Sequence, residues 1–480
     1  MKIGFNLLLK GLNILFISLA FILYYSTGGN HYVNERTIFL CLLLAIELHL
    51  FLSYAQKNRN LLLTILCFDL ILYYSARVVT LLYTEYSVVF SRLDAVITND
   101  VNHTLSFIII SNLALFTGIV ASKTMRNSKY KSAVIGKHAS GKCVVFFLFI
   151  SVILGFPDFI QFGALAGLMS FVKFYFLNPF NTVLLAVLYL VIHSDRMNNM
   201  LKIILISLLV VQVLGLVLYS SRSAIPTIML VVLIASLVKN SNKLYVKFSH
   251  LIISLILTVL SLFLFVFTSY IRPIVNEGNI SNREKIVLLQ NFDFVDRMEP
   301  RKALSPIFDR IGFLDYATEI IAHERNYSDI IRPSYYFKSI MDNVLSPGFD
   351  FFDTPKVANA LSFRYSNKGE LSLKNVDGSY QSDQLTMYGE YYALFGGWFS
   401  IVFFFLTGFV FQSQIQLGDK NSSLLGKIYQ GIVLYLFLRF IDSFGIDWMA
   451  QNVLTLYFSY LIFKNYILKK EIALALKKNV

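Results

Sequence analysis

The sequence predicts an all-α polytopic membrane protein of about twelve transmembrane helices, with one large, mainly helical segment outside the bilayer. Three observations lead there. Of 480 residues, 56% are hydrophobic and only 15% charged, whereas a water-soluble domain carries about a quarter charged residues. Mean hydropathy is +0.62. Apolar runs of spanning length recur along the chain, interrupted by one polar segment, 270–389. At about 20 residues per span, twelve spans use about half of the chain.

In order, the runs are 4–25, 37–54, 61–83, 104–122, 143–158, 175–193, 203–219, 224–238, 249–269, 390–411, 428–441 and 449–467. The first follows Lys2 and Lys10 as a signal peptide would, but no small-x-small cleavage site follows it, so an uncleaved first span is expected. The fifth is short and meets Pro157, so the apolar stretch 159–172 is either its kinked continuation or a helix in the interface. Cys41, Cys67 and Cys143 sit inside apolar runs, as small packing residues do, without disulfide or metal spacing.

The net charge of +13 and pI near 9.4 would by themselves fit a nucleic-acid partner. Their distribution says otherwise. With the amino terminus inside, the alternating inner segments hold 22 Lys and Arg, against 5 in the short outer loops (Arg36, Arg92, Lys173, Arg222 and Arg439). That is positive-inside sorting, and it places both termini in the cytoplasm. The 270–389 segment then falls outside, with 14 basic and 16 acidic residues. No nucleic-acid partner is implied. The expected units are a bundle of spans 1–9 over 1–269, an outer domain over 270–389, and spans 10–12 with a cytoplasmic tail over 390–480.

Within the outer domain, Ile307, Ile311, Leu314, Thr318 and Ile321 recur at helical spacing and predict an amphipathic helix near 304–323. Pro347, Gly348 and Pro355 mark loops, Lys368 to Gly378 has turn residues around a candidate short hairpin, and Gly389 to Trp398, with Tyr391, Tyr392 and Trp398, reads as the interfacial entry of the tenth span.

Several polar residues could carry chemistry. Arg222, in the outer turn Tyr219-Ser220-Ser221-Arg222-Ser223, runs against the charge bias at the depth of a lipid phosphate, which guanidinium grips with two parallel hydrogen bonds. Headgroup contact is the plainer alternative. Arg272 lies at the same level, and Arg310 on the flank of the 304–323 helix. Asp315, Glu319 and His323 follow at four-residue spacing and share a face, either for proton transfer or as a solvated surface. Glu390 and Asp383 sit where the outer segment meets the membrane, where desolvation raises a carboxylate's pKa; Asp383 could equally cap a helix. Inside the bilayer, Glu47, Asp69 and Arg77 are costly unless paired, and Glu47 and Arg77 lie at similar depth, which favours an ion pair between them over an ion pathway. No acidic pair of the Asp-x-Asp kind, metal-spaced His/Cys cluster or Gly-rich phosphate loop occurs on the outer side, so no metal or other cofactor is expected.

The Ser-Ser-Arg-Ser turn at 220–223, the Phe308-Asp309-Arg310-Ile311-Gly312 stretch and the run Gly389-Glu390-Tyr391-Tyr392-Ala393-Leu394-Phe395-Gly396-Gly397, within this layout, resemble the bacterial O-antigen polymerases of the Wzy type. More broadly they resemble the polymerase and ligase branch of the C-type (GT-C-like) membrane glycosyltransferases. The resemblance implies an inner-membrane glycosyltransferase, without cofactors, that joins undecaprenyl-pyrophosphate-linked repeat units into O-antigen or a related surface polysaccharide at the periplasmic face. Its partners would be those lipid-linked glycans and the bilayer, with a chain-length regulator and a flippase as further partners. Arg222, Arg272 and Arg310 would hold pyrophosphate, a good leaving group, while Glu390, His323, Asp315 or Glu319 would act on the acceptor hydroxyl. Aromatic side chains such as Tyr335, Tyr336, Phe351 and Phe352 would suit sugar faces or simply pack.

Two alternatives stay open: an O-antigen ligase of similar layout, and a lipid-linked oligosaccharide flippase or transporter. The second fits less well, because transporters often show repeated halves and none is visible here. A metal-dependent relative would carry a large first outer loop with an acidic pair, whereas Ser26 to Arg36 is short and has none.

Overall fold

The computed structural model describes residues 2–84, 98–125, 141–155, 175–176, 178–219, 224–240, 245–247, 312–345, 351–365, 385–420, 424–442 and 445–478. Arg222, Arg272, Arg310 and Asp383 lie outside these residues, as do the expected ninth span, the 159–172 stretch and the turn at Lys368–Gly378.

The bundle begins with β1 (Lys2–Gly4), α1 (Phe5–Thr27), α2 (Glu35–Asn58) and α3 (Leu61–Leu70), then a π-helical turn (Ile71–Ser75) and α4 (Ala76–Thr84). Next come α5 (Thr98–Met125), α6 (Gly141–Gly155), α7 (Pro179–His193), α8 (Asn199–Tyr219), α9 (Ala224–Lys239) and β2 (Tyr245–Lys247). Four short helices follow: α10 (Phe313–Ala322), α11 (Pro333–Ile340), α12 (Val357–Tyr365) and α13 (Met387–Phe395). Three long ones close the chain: α14 (Ile401–Lys420), α15 (Leu424–Ile441) and α16 (Ile446–Lys478). The fold is helical apart from one strand pair among the described residues, in which β1 lies antiparallel to β2 with Lys2 opposite Lys247.

Among the described residues, six helices are long and apolar enough to cross a membrane: Phe5–Thr27, Glu35–Asn58, Leu61–Tyr83, Thr98–Thr124, Gly397–Gly418 and Leu424–Ile441. Shorter apolar helices run over Val144–Ile153, Phe180–His193, Asn199–Val213 and Thr227–Lys239. Each overlaps an expected run. On α1, Leu7, Ile14 and Ile22 are exposed, as hydrocarbon solvent permits, while the opposite face buries Asn6 and Asn13. Asn13 donates to the Ala45 carbonyl of α2 at 2.8 Å; such bonds join helices where water cannot compete.

Local signals set the helix starts. Asn34 and Thr37 form a reciprocal capping box at α2. Asn60 caps α3, accepting from the Leu63 amide at 3.0 Å, and Asn178 caps α7 with Pro179 in the first turn.

The closest helix contact joins α5 to α14. Ser122 and Ser413 hydrogen bond at 2.9 Å, while Leu115 faces Gly408 and Phe405 faces Gly118, so the two helices run parallel. Both glycines are needed for that approach: a Cβ on Gly118 would meet the Phe405 carbonyl oxygen at 2.1 Å, and one on Gly408 the Leu115 oxygen at 2.3 Å.

The start of the tenth span differs from expectation. Gly396 and Gly397 take left-handed conformations, φ 79° and 61°, where a side chain is strained. They end α13 and turn the chain through Gly397–Ser400 into α14. Glu390 therefore belongs to a separate short helix that packs with α10, at what is here termed the outer end of the bundle; Gly389 lies against Ile320, where a Cβ would stand 3.1 Å away. A small second core of Ile320, Tyr327, Ile331, Tyr336, Leu361 and Leu385 holds α10–α13 together.

The α5–α14 crossing generates a prediction. Gly118→Ala or Gly408→Ala forces the backbones apart at a close crossing and should destabilise the protein by about 1–3 kcal/mol, read as a lower thermal midpoint in detergent. Unchanged midpoints for both would contradict the geometry.

Candidate functional site

At the outer end, α10 to α13 present carboxylates inward, and each is engaged. Arg77, in the first turn of α4, is fully buried. It grips Asp315 of α10 with a two-pronged contact, Nε to Oδ1 at 3.0 Å and Nη2 to Oδ2 at 2.5 Å. This corrects the expected pairing with Glu47. That pairing rested on depth alone, whereas Arg77 reaches a residue 238 positions away. Glu47 instead faces Asn112, whose Oδ1 accepts from the Tyr388 hydroxyl at 2.5 Å.

Glu319 and His323 stand one turn apart on α10 and its C-terminal cap. The His323 Nδ1 lies 3.1 Å from Glu319 Oε1, and the Tyr327 hydroxyl donates to that same oxygen at 2.6 Å. Glu319 is 2% exposed and the His323 side chain 29%. A buried carboxylate thus fixes one ring nitrogen of a half-exposed imidazole. The Oε2 of Glu319 is buried with no hydrogen-bond partner among the described residues. The solvated-face alternative for this helix is corrected: Asp315 and Glu319 point into the protein, and only His323 reaches toward solvent.

Glu390 is buried and tied on both sides. Its Oε1 accepts from the Tyr336 hydroxyl of α11 and from the Ile446 amide at the start of α16, at 2.7 Å. Next to it, Asp447 accepts from Ser339 Oγ at 2.5 Å, the Val357 amide at 2.9 Å and the Trp448 amide at 2.8 Å. Tyr336 and Ser339, three residues apart on α11, therefore engage two adjacent carboxylates. Burial pushes the Asp447 carboxyl up, against its hydrogen bonds to Ser339, Val357 and Trp448 and the nearby Lys356. Burial likewise pushes Lys356 down, against the attraction of Asp447, and Lys356 donates to Gln451. Burial, and then the Glu390 carboxylate, hold the Tyr336 hydroxyl well above its ordinary range.

Beside this cluster lies an aromatic surface. His103 of α5 packs with Tyr392 and Trp398, ring centroids at 5.9 and 6.0 Å; Tyr392 is buried beneath, while His103 and Trp398 are exposed. Burial, followed by the Glu324 carboxylate, raises the Tyr392 hydroxyl, so this surface adjoins the residue that follows His323. Of the aromatic residues expected to meet sugars, Tyr336 is buried and Tyr335 half-buried, while Phe351 and Phe352 are exposed.

The four described candidates thus divide by role. Asp315 and Glu390 serve anchoring contacts, whereas Glu319 and His323 form an oriented pair. Sequence reasoning missed Tyr327, Tyr336, Ser339 and Asp447. Only Asp447 carried a readable signal, an acid in the short connection Gly445-Ile446-Asp447-Trp448 between two apolar runs. No protein-family model, curated protein or solved structure matches the chain.

Glu390→Ala should strand the Tyr336 hydroxyl and the Ile446 amide without a partner. A loss of about 2–4 kcal/mol is expected from two buried donors left unsatisfied, measured as a lower unfolding midpoint, with Glu390→Gln retaining part of it. Equal stability of wild type and Glu390→Ala would remove the anchoring role.

Proposed function

We propose that this chain is an oligosaccharide repeat unit polymerase of the O-antigen type, a metal-independent glycosyltransferase of the bacterial inner membrane. It would have twelve spans in a GT-C-like arrangement, both termini in the cytoplasm and the outer end facing the periplasm. The observation that carries the reading furthest is the Glu319–His323 pair. A carboxylate holding Nδ1 of a half-exposed imidazole leaves Nε2 as the nitrogen to receive a proton, the orientation used for general-base work on hydroxyl groups.

The reaction would run between two substrates linked to undecaprenyl pyrophosphate. His323 takes the proton of an acceptor hydroxyl on the incoming repeat unit. The oxygen forms a bond to the anomeric carbon of the growing chain, whose bond to pyrophosphate oxygen breaks. Arg222, Arg272 and Arg310 are assigned to the departing pyrophosphate, where positive charge substitutes for a metal in stabilising the developing negative charge. The exposed rings of His103 and Trp398 would supply faces for sugars. A chain-length regulator and a flippase would be the protein partners.

In a stably expressed protein, His323→Ala is expected to cut elongation by about 10²–10⁴-fold, leaving single repeat units uncondensed, and Arg222→Ala and Arg310→Ala should give the same product. Gel analysis of surface glycan reads both. Wild-type chain lengths in all three variants would refute the assignment, and full-length polymer retained on the lipid carrier would identify a ligase instead.

A further inference from the structure

A second buried polar system lies deeper in the bundle and takes no part in the outer cluster. Asp69 is the penultimate residue of the first segment of the third span, two positions before the π-helical turn Ile71–Ser75. Such turns displace backbone and side chains from α-helical phase and recur at functional positions. The Asp69 side chain is in hydrogen-bond contact with that of Asp442, which stands one residue beyond α15. They are 1% and 8% exposed.

Two carboxylate oxygens cannot donate to one another, so the contact is attractive only with a proton between them. Asp69 Oδ2 and Asp442 Oδ1 have no hydrogen-bond partner among the described residues. The buried Tyr74 lies beside both acids, with its hydroxyl facing Thr386. Arg439 of α15 is the nearby cation, but its guanidinium stacks over Tyr435 and Trp448, at 5.9 and 5.4 Å from the ring centroids. Tyr73 and Tyr74 face the pair from the π turn. Tyr388 of α13 faces Asp69, and its ring contacts Tyr74 with centroids 5.4 Å apart. Tyr388 in turn donates to Asn112, beside the buried Glu47 of α2. The polar seam therefore runs from Glu47 through Asn112, Tyr388 and Tyr74 to the two aspartates.

We propose that Asp69 and Asp442 form a proton-binding site within the bundle, holding one proton between their carboxyl groups. Protonated, the pair clamps the π turn of the third span to the outer end of α15. Deprotonated, it places two anions side by side in a buried site and loosens that clamp. Burial pushes the Asp442 carboxyl up to about 7 from its ordinary value, against the opposing effects of Arg439 and the hydrogen bond to Asp69. A carboxyl raised in the folded state contributes stability at low pH that is lost as pH rises through the folded value.

The test uses the full chain in lipid nanodiscs. Infrared spectra recorded between about pH 5 and about pH 9 should show the carbonyl absorption of a protonated carboxyl disappearing as pH rises. The wild-type thermal midpoint should fall over the same interval. In Asp69→Asn/Asp442→Asn, which keeps an uncharged hydrogen-bonding pair, that absorption change should shrink by the contribution of the pair and the fall in midpoint should shrink with it. Where the double variant does not fold, Asp442→Asn alone should already reduce the titrating absorption. An absorption change of wild-type size in the variant would overturn the proposal. So would a wild-type midpoint restored at high pH by sodium but not by potassium, which would make the ligand a metal ion.

Discussion

The buried contact between Arg77 and Asp315 is the constraint on which the outer end depends. Taking an arginine and a carboxylate fully out of water costs several kcal/mol per ion, offset only when both prongs of the guanidinium are used. Here Nε and Nη2 each meet one carboxylate oxygen. The pair fixes α10 against α4, and α10 carries Glu319 and His323. Removing one partner would leave an isolated buried charge, so the contact acts less as a source of net stability than as a requirement that α10 sit in one place.

The other carboxylates repeat this logic around the same segment. Glu390 joins α13 to α11 and α16, Asp447 joins α11 and α12 to α16, and Asp342 closes the turn to Thr354 by accepting from the Phe351, Phe352 and Thr354 amides. Helices this short bury limited apolar area each, and the second core is small. Charge-assisted hydrogen bonds to backbone amides and hydroxyls, stronger than neutral ones, supply the rest. The oriented Glu319–His323 pair stands out because its carboxylate holds side chains of its own neighbourhood, His323 and Tyr327, instead of bolting two helices together.

The long elements were legible because hydropathy and capping act locally. The runs at 37–54 and 61–83 follow from hydropathy alone, and the structure adds the caps that start them, Asn34 and Asn60. What escaped depends on phase and on distant partners. A π turn at 71–75 leaves no composition signal, yet it changes which way Arg77 points, so a partner chosen by depth was wrong. Tyr391, Tyr392 and Trp398 make 389–398 look like the entry of the tenth span, but two consecutive left-handed glycines break the helix there instead. The four-residue spacing of Asp315, Glu319 and His323 was visible, but spacing cannot tell a solvated face from a buried one when the partners are Arg77 and Tyr327.

The most direct test of this account is a double-mutant cycle on Arg77→Met and Asp315→Asn, substitutions of nearly the same volume that remove charge. A buried, obligatory pair predicts that each single substitution destabilises by about 3–5 kcal/mol while the double loses much less than their sum. Single effects that add to within about 0.5 kcal/mol would mean that Arg77 and Asp315 do not hold α10, and the placement of Glu319 and His323 would lose its support.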